Sequence, residues 1–157
     1  MNKTNAMRVL DARNIPHTAL QYDDPIKSGQ GVSDALGLPL AQVFKTLVVI
    51  RERGRPILAM VPSDRELDLK KMAAAAGEKR VRMAAQREAE SKTGLLAGGI
   101  GALALLDKPF DVFLDASAQQ FDENLVNGGQ RGVNLRLRVN DLVDVTQAKI
   151  ADLSTSV

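Results

Sequence analysis

Apolar and polar positions alternate along the chain in short runs, and this pattern predicts strands separated by short helices. The most β-prone run is residues 43–50, Val-Phe-Lys-Thr-Leu-Val-Val-Ile. A Gly-Leu-Pro turn precedes it and Arg-Glu-Arg-Gly follows it. β-Branched and large apolar residues in a run of this length are typical of a strand that is buried on both faces. We therefore interpret residues 43–50 as the central strand of the fold.

Shorter apolar runs and turn-forming residues predict the remaining elements. Further strands are predicted at residues 17–22, 56–62, 79–83, 111–115, 124–129 and 132–139. Helices are predicted at residues 2–14, 32–37, 65–76, 84–92 and from 142 to about 153. Residues 23–31 and 94–103 are rich in glycine or other turn formers and are predicted loops. Residues 56–62 follow a turn at Gly54, so we expect them to pair antiparallel with residues 43–50.

The last predicted strand, residues 132–139, shows the clearest alternation of apolar and polar residues. Its apolar residues are predicted to point inward, whereas Asn134, Arg136 and Arg138 are predicted to face outward. Glycines at 128, 129 and 132 favour a hairpin turn between this strand and the preceding one.

Lys45 is the anomaly in the run 43–50. Side chains alternate along a strand, so Lys45 shares a face with Val43 and Leu47, and both faces of the run are apolar. An ammonium group on such a strand must reach solvent, pair with a carboxylate, or point into a polar cavity. The sequence favours two of these readings, a lysine that reaches solvent at the end of the strand and a cation in a ligand pocket.

Composition excludes several kinds of chemistry. The chain has 157 residues, long enough for one domain over residues 1–157 with a substantial core. It has no cysteine and a single histidine, His17. A disulfide, a thiolate metal site, a cysteine nucleophile and a His-pair zinc site are therefore excluded, and a serine–histidine triad is disfavoured.

Charge and hydropathy leave the partner open. The formal net charge is +2, which neither requires nor excludes a polyanionic partner. Aromatic residues make up only 3% of the chain, so a platform of stacked aromatics for nucleic acid is poorly supplied. No apolar stretch is long enough to span a membrane, and we expect a cytoplasmic protein without a membrane partner.

The predicted loop 94–103 contains four glycines in ten residues. The glycines either supply positive φ angles and close packing, or let backbone N–H groups approach a bound carbonyl or phosphate. Neither the dinucleotide-binding nor the P-loop glycine spacing is present, so the sequence does not predict a nucleotide cofactor.

The densest cationic stretch lies just before this loop. Such runs are usually solvated surfaces, and contact with phosphate groups is the alternative. The residues of this stretch are Lys70, Lys71, Lys79, Arg80 and Arg82.

Five motifs occur in the order and spacing of a known family. They are Val-Phe-Lys-Thr-Leu-Val at 43–48, Leu-Asp-Leu-Lys-Lys at 67–71, Lys-Thr-Gly at 92–94, Gly-Gly-Ile at 98–100 and Gly-Gly-Gln-Arg-Gly at 128–132. Over essentially its whole length the chain resembles the YbaK/EbsC family of trans-editing aminoacyl-tRNA deacylases, which is related to the editing insertion of bacterial prolyl-tRNA synthetase. The resemblance implies a single α/β domain with a mixed, largely antiparallel sheet and flanking helices.

The resemblance also implies a pocket for the aminoacylated 3′ end of tRNA. Lys45 matches the family's pocket lysine, suited to the terminal adenosine phosphate or its ribose. Gly98 begins the family's glycine loop, whose backbone amides, at Gly98, Gly99 and Ile100, are placed to hold the substrate carbonyl. The remaining implied substrate-binding residues are Tyr22, Thr46, Gly101, Ala102, Asn127 and Asn134. The cations at 70, 71, 79, 80 and 82 are the implied tRNA contacts.

The chain departs from the family pattern at several of these positions. Gly101 and Ala102 stand where the family loop usually continues Ser-Pro, and Asn127 and Asn134 stand where the cysteine-specific branch often has Ser and Asp. The reaction implied is hydrolysis of a mischarged aminoacyl-tRNA, charged with cysteine or another small amino acid. These departures leave the amino acid open.

The resemblance implies no metal and no cofactor, and it names tRNA as partner, with a prolyl- or other aminoacyl-tRNA synthetase as a further one. Water or the substrate's own 2′-hydroxyl would attack the carbonyl, so no protein nucleophile is needed. The alternatives are a non-catalytic module that binds tRNA or a synthetase, and an enzyme that acts on free amino-acid esters.

Overall fold

The computed structural model describes residues 3–21 and 29–156 of the chain, so Tyr22 and the predicted loop residues 23–28 lie outside the described part. The strands are β1 (His17–Gln21), β2 (Phe44–Arg51), β3 (Ile57–Pro62), β4 (Arg65–Leu67), β5 (Val81–Met83), β6 (Asp111–Asp115), β7 (Glu123–Asn127), β8 (Val133–Arg138), β9 (Lys149–Ala151) and β10 (Ser154–Ser156). The helices are α1 (Asn5–Ala12), α2 (Gly29–Leu36), α3 (Leu69–Ala76), α4 (Gln86–Thr93) and α5 (Val139–Thr146). In the described residues, no helix is both long and apolar enough to cross a membrane.

The strands form three sheets. A five-stranded sheet has the order β5-β2-β3-β6-β9, in which β2 runs antiparallel to β3 and β5 while β6 runs parallel to β3 and β9. An antiparallel sheet has the order β1-β8-β7, and β4 pairs antiparallel with β10. The predicted mixed, largely antiparallel α/β fold is confirmed.

The core lies on both faces of the five-stranded sheet. On one face, Val48, Leu58 and Leu114 pack with the three-stranded sheet and with helices α1 and α5. On the other face, Val49 and Ile57 pack with α3 and with Leu153 near the C-terminal end. The side chains of the predicted strand 43–50 therefore divide between two apolar clusters, as their alternation predicts.

β2 is not the middle strand of its sheet. That place belongs to β3, in which every residue is buried. β2 lies between β3 and the short β5, which pairs only with Val49–Arg51. Between the bridge that joins Val43 to Leu125 of β7 and the start of the β5 pairing, β2 is therefore an edge, and its residues Lys45, Thr46 and Leu47 are only half-buried.

The predictions at three other places are wrong in part. Residues 65–67 form β4 and not the start of a helix, because Asp68 caps α3 by accepting hydrogen bonds from the backbone N–H groups of Lys70 and Lys71. The last helix ends at Thr146, where Gln147 adopts a left-handed conformation, and β9 and β10 follow. Residues 29–31, predicted as loop, form the first turn of α2.

Asp115 joins β6 to the C-terminal end of the chain. Its side chain is buried, with 2% exposed, and it accepts a hydrogen bond from the Leu153 N–H at 2.8 Å. Its other carboxylate oxygen accepts from the backbone N–H and the hydroxyl of Ser117. One carboxylate therefore accepts from three donors, of which the Leu153 N–H is buried, where an unpaired donor would be costly.

We expect Asp115→Ala to lower the free energy of unfolding by about 2–4 kcal/mol, because the substitution leaves the buried Leu153 N–H without an acceptor and removes the part-buried hydrogen bonds to Ser117. Denaturant melts of the variant and of the matched control Asp107→Ala, at an exposed position, check this expectation. Equal stability of the two variants would contradict the role given to Asp115.

Candidate active site

A cavity of about 490 Å³ opens beside the unpaired half of β2. This volume is within the range of small-molecule binding sites. One wall is β2 itself, a second is the glycine loop, and the rest comes from α2, α4 and the ends of β3, β5, β7 and β8. The lining residues are Val32, Val43, Phe44, Lys45, Thr46, Leu47, Val48, Ser63, Met83, Ala84, Gln86, Ala89, Ala97, Gly98, Ile100, Asn127 and Asn134.

The edge of β2 presents backbone groups on the side away from β3. The Val43 carbonyl accepts from Ser63 N–H on the β3 side, whereas the Val48 carbonyl accepts from Ala84 N–H at 3.0 Å on the β5 side. Backbone groups of consecutive residues point to opposite sides of a strand, so those of Thr46, two residues before Val48, point away from β3 as those of Val48 do. No strand pairs with Thr46 on that side within the described residues.

Two predicted residues on β2 line the cavity. Lys45 is half-buried and makes no ion pair or hydrogen bond to any described residue. The Thr46 hydroxyl oxygen is buried and, in the same part of the chain, has no hydrogen-bond partner. A buried polar atom without a partner carries a desolvation cost, which a bound ligand can relieve.

The glycine loop forms the facing wall. Gly98 has φ +87°, a conformation that favours glycine, and its carbonyl accepts from the Asn127 side chain at 2.8 Å. The Gly99 N–H donates to the Leu96 carbonyl at 2.8 Å, so this amide closes a turn within the loop. The N–H groups of Gly98 and Ile100 donate to no described residue.

Asn127 and Asn134 are directly opposite each other on β7 and β8, next to the hairpin turn. The Asn127 side chain donates to Gly98 and accepts from the Gly129 N–H at 2.6 Å, so both of its polar atoms are occupied by the protein. Asn134 is 4% exposed, and its amide nitrogen has no partner among the described residues. The prediction that Asn134 faces solvent is wrong, because Val32, Val43 and Leu125 cover that face of the sheet.

Three predicted site residues do not line the cavity. Gly99 lines a neighbouring depression, beside Arg131. Gly101 packs against β7 so closely that a Cβ atom there would lie 2.4 Å from the Asn127 carbonyl oxygen. Ala102 is buried in the core, with 2% exposed. Tyr22 lies outside the described residues.

The five predicted tRNA contacts lie outside the cavity. Lys71 donates to Asp152 and to the Ser154 carbonyl, and Arg82 forms two hydrogen bonds to Glu88, at 2.8 and 2.9 Å. The hydrogen bond from Arg82 holds the pKa of the Glu88 carboxyl below its usual value. The other three, Lys70, Lys79 and Arg80, are exposed and make no contact with a carboxylate of a described residue.

Contacts that the sequence did not predict hold the glycine loop. The Ala97 N–H donates to Glu90 of α4 at 2.8 Å, and the Ala97 carbonyl accepts from Arg131 Nε at 2.8 Å. The sequence indicates Arg131 only as part of a glycine motif and as a possible addition to the cationic stretch, and no pattern in the sequence indicates a role for Glu90. In the described part of the chain, no three His, Asp or Glu side chains are gathered as they would be around a metal ion.

Comparison with known proteins gives consistent results. Residues 23–145 match the model of the aminoacyl-tRNA editing domain. A protein of Enterococcus faecalis, provisionally named Cys-tRNA(Pro)/Cys-tRNA(Cys) deacylase EbsC, is 32% identical over 98% of this chain and 94% of its own. The proline–tRNA ligase of Thermosipho africanus is 27% identical over 83% of this chain, which spans only 24% of that enzyme.

A solved structure agrees with these relatives. It is described provisionally as a trans-editing enzyme for prolyl tRNA synthetase, is 25% identical, and superimposes with a TM-score of 0.84 over 99% of this chain and 100% of its own. The resemblance inferred from the five motifs is thereby confirmed. The family model spans most of the chain and the Enterococcus relative nearly all of it, so the chain belongs to the aminoacyl-tRNA editing domain family.

Proposed function

We propose that the protein hydrolyses, in trans, the ester that joins cysteine or another small amino acid to the 3′ end of a mischarged tRNA. Membership of the editing domain family and a relative named as a deacylase support aminoacyl-tRNA deacylase activity. The observation that carries the proposal is the cavity itself: Lys45 lies on one wall and Gly98 and Ile100 lie on the facing wall. Neither the Lys45 ammonium nor the two loop amides have a partner among the described residues.

Lys45 is suited to the phosphate or ribose of the terminal adenosine. An ammonium group on a cavity wall, with no carboxylate partner in the part of the chain that the structure describes, attracts an anionic ligand group. The backbone N–H of Thr46 and the other free groups of the β2 edge add directional hydrogen bonds for the same nucleotide.

The loop amides are suited to the ester carbonyl. Water attacks the carbonyl carbon, the oxyanion that forms accepts hydrogen bonds from the Gly98 and Ile100 N–H groups, and the bond to the ribose oxygen breaks. The ribose oxygen leaves with a proton, and the products are the free amino acid and tRNA. The neighbouring ribose hydroxyl can relay the proton from water, so positioning supplies most of the catalysis.

A non-catalytic module that binds tRNA or a synthetase is the alternative. It drew support from Gly101 and Ala102, which differ from the usual loop sequence. Both residues lie outside the cavity lining, whereas Gly98 and Ile100 line it, and their amides donate to no residue that the structure describes. This arrangement favours a working deacylase.

Deacylation of a panel of cysteinyl-, alanyl- and seryl-tRNAs under single-turnover conditions tests the proposal. We expect the wild type to cleave at least one of them and Lys45→Met to lose most of that rate, about a hundredfold, with an unchanged melting temperature. Lys149→Met is the matched control, because Lys149 is an exposed strand residue at the opposite edge of the same sheet. A wild type that binds tRNA but cleaves none of the panel would favour the non-catalytic alternative.

Thr46→Val should separate stability from activity. The substitution removes a buried hydroxyl that has no described partner, so we expect the free energy of unfolding to rise by up to about 1 kcal/mol. We expect deacylation to slow, because the hydroxyl is then missing from the cavity wall. Thr146→Val is the control: its hydroxyl donates to the Leu142 carbonyl, so stability should fall and the rate should not change. Loss of stability in Thr46→Val with a normal rate would contradict the prediction.

The exposed cations at Lys79 and Arg80 should contact tRNA phosphates. Reversing both charges, in Lys79→Glu with Arg80→Glu, is expected to weaken tRNA binding and to reduce its salt dependence, because fewer counterions are released. The double control Arg13→Glu with Arg138→Glu changes net charge equally at other exposed positions. Measuring the Kd for tRNA at several salt concentrations checks this prediction. If the control double variant weakens tRNA binding as much as Lys79→Glu with Arg80→Glu does, the effect comes from net charge and not from contacts at Lys79 and Arg80.

A further inference from the structure

Arg131, in the turn between β7 and β8, reaches across to the glycine loop. Its Nε donates to the Ala97 carbonyl at 2.8 Å. Its aliphatic stem lies over Gly98, since a Cβ atom on Gly98 would be 3.4 Å from Arg131 Cγ and 3.8 Å from Cδ. The side chain therefore both covers the loop and holds one of its carbonyls.

The held carbonyl belongs to the same peptide unit as the Gly98 N–H. A peptide unit is planar and trans, so its C=O and N–H groups point in opposite directions and move together. Fixing the Ala97 carbonyl on Arg131 therefore fixes the direction of the Gly98 N–H. A hydrogen bond from a guanidinium to the carbonyl also polarises the peptide unit, which makes its N–H a stronger donor.

Two further contacts keep neighbouring peptide units in place. The Ala97 N–H donates to Glu90, and the Gly98 carbonyl accepts from Asn127. The peptide units on both sides of the one that Arg131 holds are thus tied to different elements of the fold. The Gly98 N–H itself has no acceptor among the described residues.

We propose that Arg131 is a positioning residue that orients and polarises the Gly98 N–H toward the ester carbonyl of the substrate. This inference rests on the proposed deacylase function. Arg131 acts through the Ala97–Gly98 peptide unit and has no contact with the reacting atoms. A direct contact of its guanidinium with a tRNA phosphate is the competing role, and it makes different predictions.

Two substitutions distinguish the roles. Arg131→Lys keeps the charge and the stem, but a methylene group takes the place of Nε, so the hydrogen bond to Ala97 is lost. Arg131→Met keeps only a stem of similar shape over Gly98. Arg138→Met, at an exposed position on β8, is the control for loss of an arginine from the same hairpin.

We expect both Arg131 variants to lose about 10- to 100-fold in single-turnover deacylation while the Kd for uncharged tRNA stays within about twofold of the wild type. Hydrogen exchange at the Ala97 and Gly99 amides, which are hydrogen-bonded in the native loop, should become faster in both variants. Melting temperatures identify any variant that fails to fold, and the exchange data then come from the other variant.

Three results would overturn the inference. They are a wild-type rate in Arg131→Lys, a loss confined to the Kd for tRNA, and unchanged exchange at Ala97 and Gly99. An active wild type with unaffected variants overturns this inference alone. A wild type inactive on the whole tRNA panel overturns the proposed function, and the inference with it.

Discussion

The short length of β5 leaves the first half of β2 open toward the cavity. β5 pairs with the last three residues of β2 and then turns into α4, so the ladder of hydrogen bonds ends at the Val48 carbonyl. The remaining half of β2 keeps its order through complete pairing with β3 on the other side. An edge that is rigid yet unpaired can offer backbone donors and acceptors to a ligand without a cost in loop ordering.

The glycine loop, which forms the facing wall of the cavity, is held in one conformation by a different kind of contact. The glycine loop has no regular structure between Thr93 and the turn at Ala102–Ala104, and glycines alone would leave it with many conformations. Side chains from α4, β7 and the β7–β8 turn instead hold its carbonyls and one of its amides. The site thus combines a wall fixed by strand pairing with a wall fixed by side chains, and both present free backbone groups to one cavity.

Local sequence patterns predicted much of this fold. The apolar run at residues 43–50 and the period of two along residues 133–139 correctly predicted strands, and the glycine-rich stretch was correctly expected to form a loop. Six of the predicted site residues meet at one cavity: Lys45, Thr46, Gly98, Ile100, Asn127 and Asn134. Motif spacing could indicate them because each stands in or beside a short recognisable segment.

What the sequence could not predict depends on contacts between distant segments. β9 and β10 are three residues each, too short for a clear period, and they form because β6 and β4 offer edges. The outward face of β8 at Asn134 is covered by apolar residues from α2 and from the start of β2, which no periodicity within β8 can reveal. The pairing of Arg131 with Ala97 joins positions 34 residues apart through one side chain.

Gly101 restricts the substitutions that the glycine loop can tolerate. The atom that a side chain there would meet is a backbone oxygen of β7, so no substitution at position 127 by itself makes room. A serine at 101, as in the usual family loop, therefore requires the loop backbone or the end of β7 to shift, and the end of β7 also carries the amide that holds Gly98. Introducing the serine alone into this scaffold would thus cost stability and disturb the contact that orders the loop.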